Sequence, residues 1–463
     1  MFCDFASPKA VTMTREELRE YHLYHLQRLL ERVYANSAFY RKLWANAGLH
    51  PEHIKTLDDF TRLVPMVTKQ DFLADQNSSP PYGQRLAVSE EEICQVHLTS
   101  GTSGIGQEVY ALTRDDISLE AQGWVIHLRS IGLKPGDVSI VTWPVATMAA
   151  ALNVYEACRE IGVNAFLVGI YDGETKIKLM QRFDMNHLVA TPTYVSRLAV
   201  LCQEMGLNPS QAFGNLKAIS VAAESYPANW LEEMEAVWGC PIHDVYGSTQ
   251  NATALGMTCQ TRRSAGEGGG TRRNMHLFEH LTFVEAIDYE SGEPVSYGAE
   301  GELVLTPLFR QATPVIRFRT GDKVILYPGQ TCSCGSQFDF LEAGTIARFD
   351  DMIKIKAANV WPQTVDDIIF SYKEVEEYNG VVSIDEKGRE NVRVLLEFRD
   401  GVPEGTKASL MKQVGERIRQ KTQVTMIVEE VPRGTLERTL FKSRRWVDRR
   451  QEGLRQVVRY LEK

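Results

Sequence analysis

From Arg15 to Trp44, leucines, tyrosines and Val33 recur at helical spacing between charged residues, which predicts amphipathic helices broken near Asn36 and Ser37. Pro65 to Asp71 reads as a loop entering a helix, Ser78 to Gly83 as a polar, Pro-rich link, and Ile93 to His97 alternates like a strand. Between Asp115 and Ile242, strand-like runs at Val138 to Thr142, Val163 to Val168 and His187 to Ala190 alternate with helical stretches at Ala149 to Ile161, Lys176 to Phe183 and Thr193 to Glu204. Such alternation with short connections predicts a parallel sheet covered by helices on both faces. Ligands of these sheets bind outside the carboxyl ends of the strands. The loops Trp143 to Met148, Thr191 to Tyr194 and Ala222 to Ser225 are therefore where a substrate is expected.

From His276 to Leu326 the runs shorten (Leu281 to Ile287, Gly301 to Thr306, Val315 to Arg319) and turns fall at Ser291-Gly292 and Ala299 to Gly301, which predicts an antiparallel subdomain. After Asp350 come strand-like runs at Val381 to Ile384 and Val392 to Phe398, a helix from Lys407 to Lys421 and a strand from Val424 to Val431. Residues 260 to 273, rich in glycine and arginine, read as a solvated loop. The fold class is α/β: a large amino-terminal domain, 1–349, with parallel sheets and a β-rich subdomain, then a small α+β carboxy-terminal domain, 350–463.

A chain of 463 residues exceeds one core and agrees with two or three domains. Its 51 basic against 60 acidic residues give a net charge of −9, which disfavours non-specific nucleic-acid binding. Residues 1 to 13 lack the pattern of a signal peptide and no later run has the length of a membrane span, so a cytoplasmic protein without nucleic-acid or membrane partners is expected. The oligomeric state stays open. Eight cysteines form no disulfide-like framework, and Cys3, Cys94, Cys158, Cys202 and Cys240 read as small buried or incidental residues.

Candidate chemistry starts at Leu98 to Gln107, where Thr99, Ser100, Gly101, Thr102, Ser103 and Gly104 offer hydroxyls and close backbone approach to a polyphosphate. The run lacks the lysine that closes the loop of P-loop NTPases; Ile105 and Gly106 stand there. Three further segments follow in order: Val245-Tyr246-Gly247-Ser248-Thr249-Gln250, Arg317 to Asp322, and Arg348 to Ile355. On these four segments the chain resembles the adenylate-forming ligases, and over its whole length their phenylacetate-CoA ligase branch, which has a small mobile carboxy-terminal domain.

The resemblance implies ATP and Mg²⁺ as cofactors and assigns roles. Thr99 to Gly104 resembles the β,γ-phosphate loop, and Ala222-Ala223-Glu224-Ser225 the purine-binding segment. Tyr246 resembles the residue stacking on adenine, and Thr249 the contact to the α-phosphate. Asp322 resembles the carboxylate holding both ribose hydroxyls, a role suited to a two-acceptor side chain. Arg348 resembles the arginine reaching the nucleotide, and Asp350 the hinge of the small domain. Gly434 to Arg445 resembles the loop of the catalytic lysine, placed at Lys442; a positioned cation lowers the barrier as negative charge builds on the phosphoryl oxygens.

Cys332-Ser333-Cys334, with Cys259 and His276 upstream, offers four ligands suited to a structural zinc ion, the alternative being four unrelated residues. Some members of the branch have a comparable cluster. The chain departs from the family at Ile105, where a lysine is usual, at Gln250, where a glutamate commonly helps bind Mg²⁺, and at Ala357, where thioester-forming relatives have glycine for the passage of CoA. Thr142 to Ala150 matches the aryl pocket in position. There Met148 replaces an aromatic and Ala149 to Ala151 leave room, which suggests a bulky or cyclic apolar acid, core packing being the alternative for Met148.

The expected function is an AMP-forming ligase that adenylates such an acid and, given Ala357, transfers the acyl group to an amino acid amine, as the coronafacate ligase offshoot does. Formation of a CoA thioester is the alternative, and a non-catalytic nucleotide-binding relative is the third reading.

Overall fold

Thr14 starts the helix Arg15–Asn36: its hydroxyl accepts from the Glu17 N–H and Glu17 reaches back to the Thr14 N–H, so two donors left open at a helix start are satisfied. Ser37 breaks the pattern as expected, because it ends this helix and caps the next, Ala38–Asn46, on the Tyr40 N–H. The computed structural model describes residues 13–99, 106–145, 149–224, 226, 228–251, 254–264, 271–349, 353–355, 358–384, 390–436 and 445–450. Within them the chain divides into two compact units. The larger comprises Met1–Ala223, Met234–Arg263 and Arg273–Ile346; the smaller comprises Glu224–Glu233, Ser264–Arg272 and Ala347–Lys463.

In the large unit, Gln95–Leu98 (β1) and Val109–Leu112 (β2) pair antiparallel on either side of the Ser/Gly run. Val138–Val141 (β3), Asn164–Leu167 (β4), His187–Ala190 (β5), Ala218–Val221 (β6) and Ile242–Tyr246 (β7) form the parallel core of an eight-stranded sheet. Gly256–Ser264 (β8) and Thr271–Leu277 (β9) extend it, and Phe340–Glu342 (β13) pairs antiparallel with β9 at its edge, giving the order β13-β9-β8-β7-β6-β5-β3-β4. All four residues of β5 and of β6 are buried, as befits strands covered on both faces. The helices Arg114–Ser130 and Ala149–Ile161 supply Trp124, Val125, Leu128, Val154 and Ala157 to the core against Val141 and Val189.

This core also holds three histidines. The Ser220 hydroxyl lies 2.6 Å from His127 Nε2 and 2.7 Å from His187 Nε2, and His187 Nδ1 lies 2.9 Å from Ser139 Oγ. Burial, and then the His243 imidazole, push His187 down to about 3; burial first, then Arg273, pushes His243 down to about 4, and His127 also falls well below its ordinary value.

Thr282–Ile287 (β10), Glu300–Pro307 (β11) and Phe318–Ile325 (β12) are antiparallel, which bears out the β-rich subdomain. The solvated loop expected over 260–273 needs correction. Gln260 to Ser264 completes β8 and Thr271 to Arg273 opens β9, while 265–270 lie outside the described residues. The physical reason is pairing: Arg273 is buried because it meets Glu235 at 2.7 Å, and Arg272 because it meets Asp367 at 3.0 Å.

The small unit has its own core. Short strands Ala347–Arg348 (β14), Ile353–Ile355 (β15) and Ala358–Val360 (β16) lead to Val375–Ile384 (β17), Glu390–Phe398 (β18), Ile427–Glu430 (β19) and Trp446–Asp448 (β20). These last four form a sheet in the order β19-β18-β17-β20. Tyr378, Val382, Val394 and Leu396 pack against Val414 and Ile418 of the helix Glu404–Thr422. Among the described residues, no helix is long and apolar enough to cross a membrane.

Candidate active site

The parallel strands all end on one edge of the sheet, so the residues that follow them are neighbours although far apart in sequence. Trp143 follows β3, Thr191 and Tyr194 follow β5, Ala223 follows β6, and Gly247, Thr249 and Gln250 follow β7. Ala223 sits at φ +73, a left-handed conformation that costs an L-residue about 1–2 kcal/mol and that a constrained turn must hold in place.

Tyr246 and Asp322 meet: the phenol donates a short hydrogen bond to Asp322 Oδ2. Asp322 is buried on β12 and its own N–H donates to Thr320 Oγ1 at 2.9 Å, while Gly321, at φ +73, donates to Glu302 Oε1 at 2.9 Å. The two residues expected to face adenine and ribose are thus tied together by side chains 76 positions apart.

Thr99, at the base of the Ser/Gly run, is buried and crosslinked to Glu108: its N–H donates to the Glu108 carbonyl at 3.1 Å and its hydroxyl accepts from the Glu108 N–H at 2.9 Å. The fully buried Glu108 carboxylate accepts from Tyr110 OH at 2.8 Å and from Gln250 Nε2 at 2.7 Å. Burial raises its pKa, against the pull of the Tyr110 bond, Arg85, Lys69 and Gln250. Arg310 completes the cluster. Its Nη1 donates to the Thr249 carbonyl at 2.8 Å and the Gln250 carbonyl at 3.1 Å, its guanidinium lies 4.6 Å over the Tyr110 ring, and it pairs with buried Glu120 at 3.3 Å. Two loops expected to face phosphates are thereby joined through one buried carboxylate and one buried guanidinium.

Of the residues expected to face the acid, Trp143 is buried edge-to-face against Trp124, with ring centroids 6.0 Å apart, and Ala149 is buried at the start of its helix. Gly169 allows this packing, since a Cβ there would lie 2.3 Å from the Trp143 carbonyl oxygen. Glu224 and the half-buried Arg348 belong to the small unit. Ser100, Gly101, Thr102, Ser103, Gly104, Ile105, Met148, Ser225, Asp350, Ala357 and Lys442 lie outside the described residues.

The sequence reading missed Glu108, Tyr110, Glu120 and Arg310. Glu108 had a signal, a lone acid between the Ser/Gly run and the apolar strand Val109–Leu112; Arg310 had none, because its partners lie 60 to 61 residues away at the loop and further still at Glu120.

The cysteine and histidine cluster forms within the large unit. Cys259 Sγ and Cys332 Sγ lie 3.7 Å apart, Cys332 Sγ and Cys334 Sγ 3.3 Å, and Cys334 Sγ and His276 Nε2 3.2 Å, with all four ligand atoms within 4.8 Å of one another. Metal–ligand lengths of about 2.3 Å to sulfur and about 2.0 Å to nitrogen place tetrahedral ligands roughly 3.5–3.8 Å apart, so these groups fit a zinc ion after small shifts. His276 Nδ1 faces the Phe338 carbonyl at 2.7 Å; a carbonyl only accepts, so Nδ1 carries the proton and Nε2 is left as the ligand. Asn274 Nδ2 at 3.2 Å from Cys332 Sγ and the Thr261 N–H at 3.4 Å from Cys259 Sγ supply donors suited to thiolates.

A tyrosine–aspartate pair at the carboxyl edge of a parallel sheet is the arrangement expected of a nucleotide-binding enzyme. The sequence family of AMP-binding enzymes matches residues 20–306 and that of the AMP-binding enzyme C-terminal domain matches residues 357–450. The chain belongs to this family and is an ATP-dependent, AMP-forming acid ligase. It is similar to the phenylacetate-coenzyme A ligase of Thermus thermophilus, 28% identical over 377 residues covering 81% of this chain and 80% of that protein. It is also similar to the phenylacetate-coenzyme A ligase of Aromatoleum evansii, 28% identical over 444 residues covering 94% and 96%. Among solved structures, 2-hydroxyisobutyryl-CoA ligase in the postadenylation state in complex with 2-HIB-AMP shares the fold, with a TM-score of 0.85 at 22% identity over 100% of this chain and 98% of that one.

Proposed function

We propose that the chain adenylates a bulky or cyclic apolar carboxylic acid with ATP and passes the acyl group to the thiol of CoA. The acid's carboxylate oxygen attacks the α-phosphorus and pyrophosphate leaves; the thiolate then attacks the acyl carbon of the adenylate and AMP leaves. The observation that carries the nucleotide half of this reading is the Tyr246–Asp322 contact at the carboxyl edge of the sheet. The acceptor rests on the phenylacetate-coenzyme A ligases, which align over most of both chains. Transfer to an amino acid, expected from Ala357, draws no support from those relatives, so the thiol becomes the preferred acceptor.

In this reading residues 1–349 bind acid and ATP, and residues 350–463 turn about Asp350. Thr99 to Gly104 hold the β- and γ-phosphates, Ala223 to Ser225 and Tyr246 the adenine, Asp322 the ribose, and Thr249 and Arg348 the α-phosphate side. Trp143, Met148 and Ala149 wall the acid, and Ala357 borders the thiol passage. Gln250, whose Nε2 is held by Glu108, would meet with its side-chain oxygen the Mg²⁺ that accompanies ATP, an ion that would neutralise phosphate charge. Cys259, His276, Cys332 and Cys334 hold a structural zinc, to be checked as one zinc per chain by elemental analysis.

The test is ATP–pyrophosphate exchange over a panel of acids, followed by addition of CoA or mixed amino acids to the acid that supports exchange, with the product identified by mass. Acyl-CoA is the expected product; an amide with no thioester would restore the amino acid reading, and ATP binding without exchange for any acid would leave a non-catalytic relative. Lys442→Ala should abolish exchange and spare transfer from a supplied acyl-adenylate, because the cation serves the first transition state. Equal loss of both steps would contradict this division.

A further inference from the structure

The turn that follows β7 is gripped twice. Strand β7 ends at Tyr246, whose carbonyl accepts from the Leu255 N–H at 2.7 Å, and the Ser248 carbonyl accepts from the Asn251 N–H at 3.2 Å to close the turn. Thr249 and Gln250 lie inside it, past the end of the ladder with β8, and their carbonyls both accept from Arg310 Nη1, at 2.8 and 3.1 Å. The second grip is on a side chain: Gln250 Nε2 donates to Glu108 at 2.7 Å. Tyr110 links the two, since its hydroxyl donates to Glu108 at 2.8 Å while its ring lies 4.6 Å from the Arg310 guanidinium.

Arg310 is itself fixed at backbone and side chain. The helix Arg114–Ser130 presents Asp116 and Glu120, four residues apart and therefore on one face. The Asp116 carboxylate accepts from the Gln311 N–H at 2.6 Å and the Ala312 N–H at 3.0 Å, and Glu120 Oε1 lies 3.3 Å from Arg310 Nη2. Arg32, on the helix Arg15–Asn36, donates to the Arg310 carbonyl at 2.6 Å and to the Gln311 carbonyl at 3.2 Å. Two helices thus hold the backbone that carries the guanidinium. The Arg310 and Glu120 side chains are each only 2% exposed. A pair buried so deeply is often no more stabilising than apolar residues of similar volume, so what it supplies here is a guanidinium in a fixed place.

We propose that Arg310, seated by Glu120, is a positioning residue of the adenylation step: it holds the Thr249–Gln250 backbone and so sets where the Thr249 hydroxyl stands when carboxylate attacks the α-phosphate. This rests on the reading of Thr249 as the α-phosphate contact. Arginine is required rather than any cation, because a lysine at 310 keeps the charge but has a single nitrogen for the two carbonyls and Glu120, and no flat face for Tyr110.

The experiment uses the full chain with Arg310→Lys and Glu120→Gln, each made both in the parent and in Thr249→Val, and measures ATP–pyrophosphate exchange kcat, KM for the acid and melting temperature. Misplacement by about an ångström costs up to about a hundredfold in rate, so Arg310→Lys in the parent should lose about tenfold or more in exchange kcat. Glu120→Gln keeps the shape of the side chain and should lose about threefold or more, with KM for the acid within about twofold in both variants, since a lost transition-state contact lowers kcat without weakening acid binding. In the Thr249→Val background each substitution should cost less than about twofold, because the contact it serves is already gone. Equal losses with and without the Thr249 hydroxyl, or failure of both variants to fold, overturn the proposal in favour of simple stabilisation. Unchanged exchange in folded Arg310→Lys also overturns it and leaves the Thr249 reading intact. Full exchange in Thr249→Val overturns both readings.

Discussion

Asp322 carries more than one duty at the residue scale. It accepts from Tyr246 and, in the proposed reading, from the ribose, so its removal leaves a phenol without its acceptor as well as a nucleotide without its anchor. Asp322→Ala should weaken ATP binding by roughly 2 to 5 kcal/mol, the worth of two hydrogen bonds to a charged acceptor, as read by titration calorimetry. Unchanged affinity would place the nucleotide elsewhere. Tyr246 and Asp322 were legible in the sequence because each lies in one of the four segments whose order carries the resemblance to the adenylate-forming ligases. Glu108 and Arg310 were not, because a buried ion gains meaning only from partners that folding supplies: Gln250 lies 142 positions from Glu108. The four residues of the proposed zinc site were legible as ligand types, whereas the carbonyl that fixes the His276 tautomer belongs to Phe338, 62 positions away, and no side-chain pattern announces it.

At the scale of elements, His187 to Ala190 and Ala149 to Ile161 fall where the hydrophobic pattern puts them, since an apolar run between breakers has few other solutions. The pattern failed where polar side chains are buried by pairing: Arg272 and Arg273 read as solvent-facing, yet they lie in a strand. It also shortened β17 to its apolar end, because the Glu376–Glu377 bulge looks like loop. The contact between β17 and β20 yields a stability test. A Cβ on Gly380 would stand 2.5–2.6 Å from three atoms of the Trp446 indole, so Gly380→Ala must push β20 away. Overpacking of this kind costs about 1–3 kcal/mol, and denaturant unfolding should show the loss. A variant as stable as the parent would mean that β20 can shift freely.

At the scale of the whole molecule, the three buried histidines make stability depend on pH. Their pKa values are lower in the folded chain, so below the unfolded value of about 6.5 the unfolded chain binds more protons and stability falls as pH falls. The contribution is complete above about pH 7; at pH 5, His187 alone should cost on the order of 2 kcal/mol, from its unfolded value of about 6.5 and its folded value of about 3. Burial raises the Glu279 and Asp366 carboxyls, and these act the other way. The test therefore compares urea midpoints at pH 7.5 and pH 5 in the parent and in His187→Gln, where the histidine part of the drop should shrink; an equal change in both proteins would contradict a buried neutral His187. Two units were foreseeable from chain length and the late change of pattern, but the pieces that join the small one were not. Glu224–Glu233 and Ser264–Arg272 sit far upstream, yet Arg272 pairs with Asp367 and Asn229 donates to the Phe370 carbonyl at 3.4 Å. The small unit is consequently no cassette. A hybrid ligase spliced at a single point near residue 347 would carry Asp367 without its guanidinium and Phe370 without its donor, so recombination with a foreign partner has to exchange three stretches of gene together.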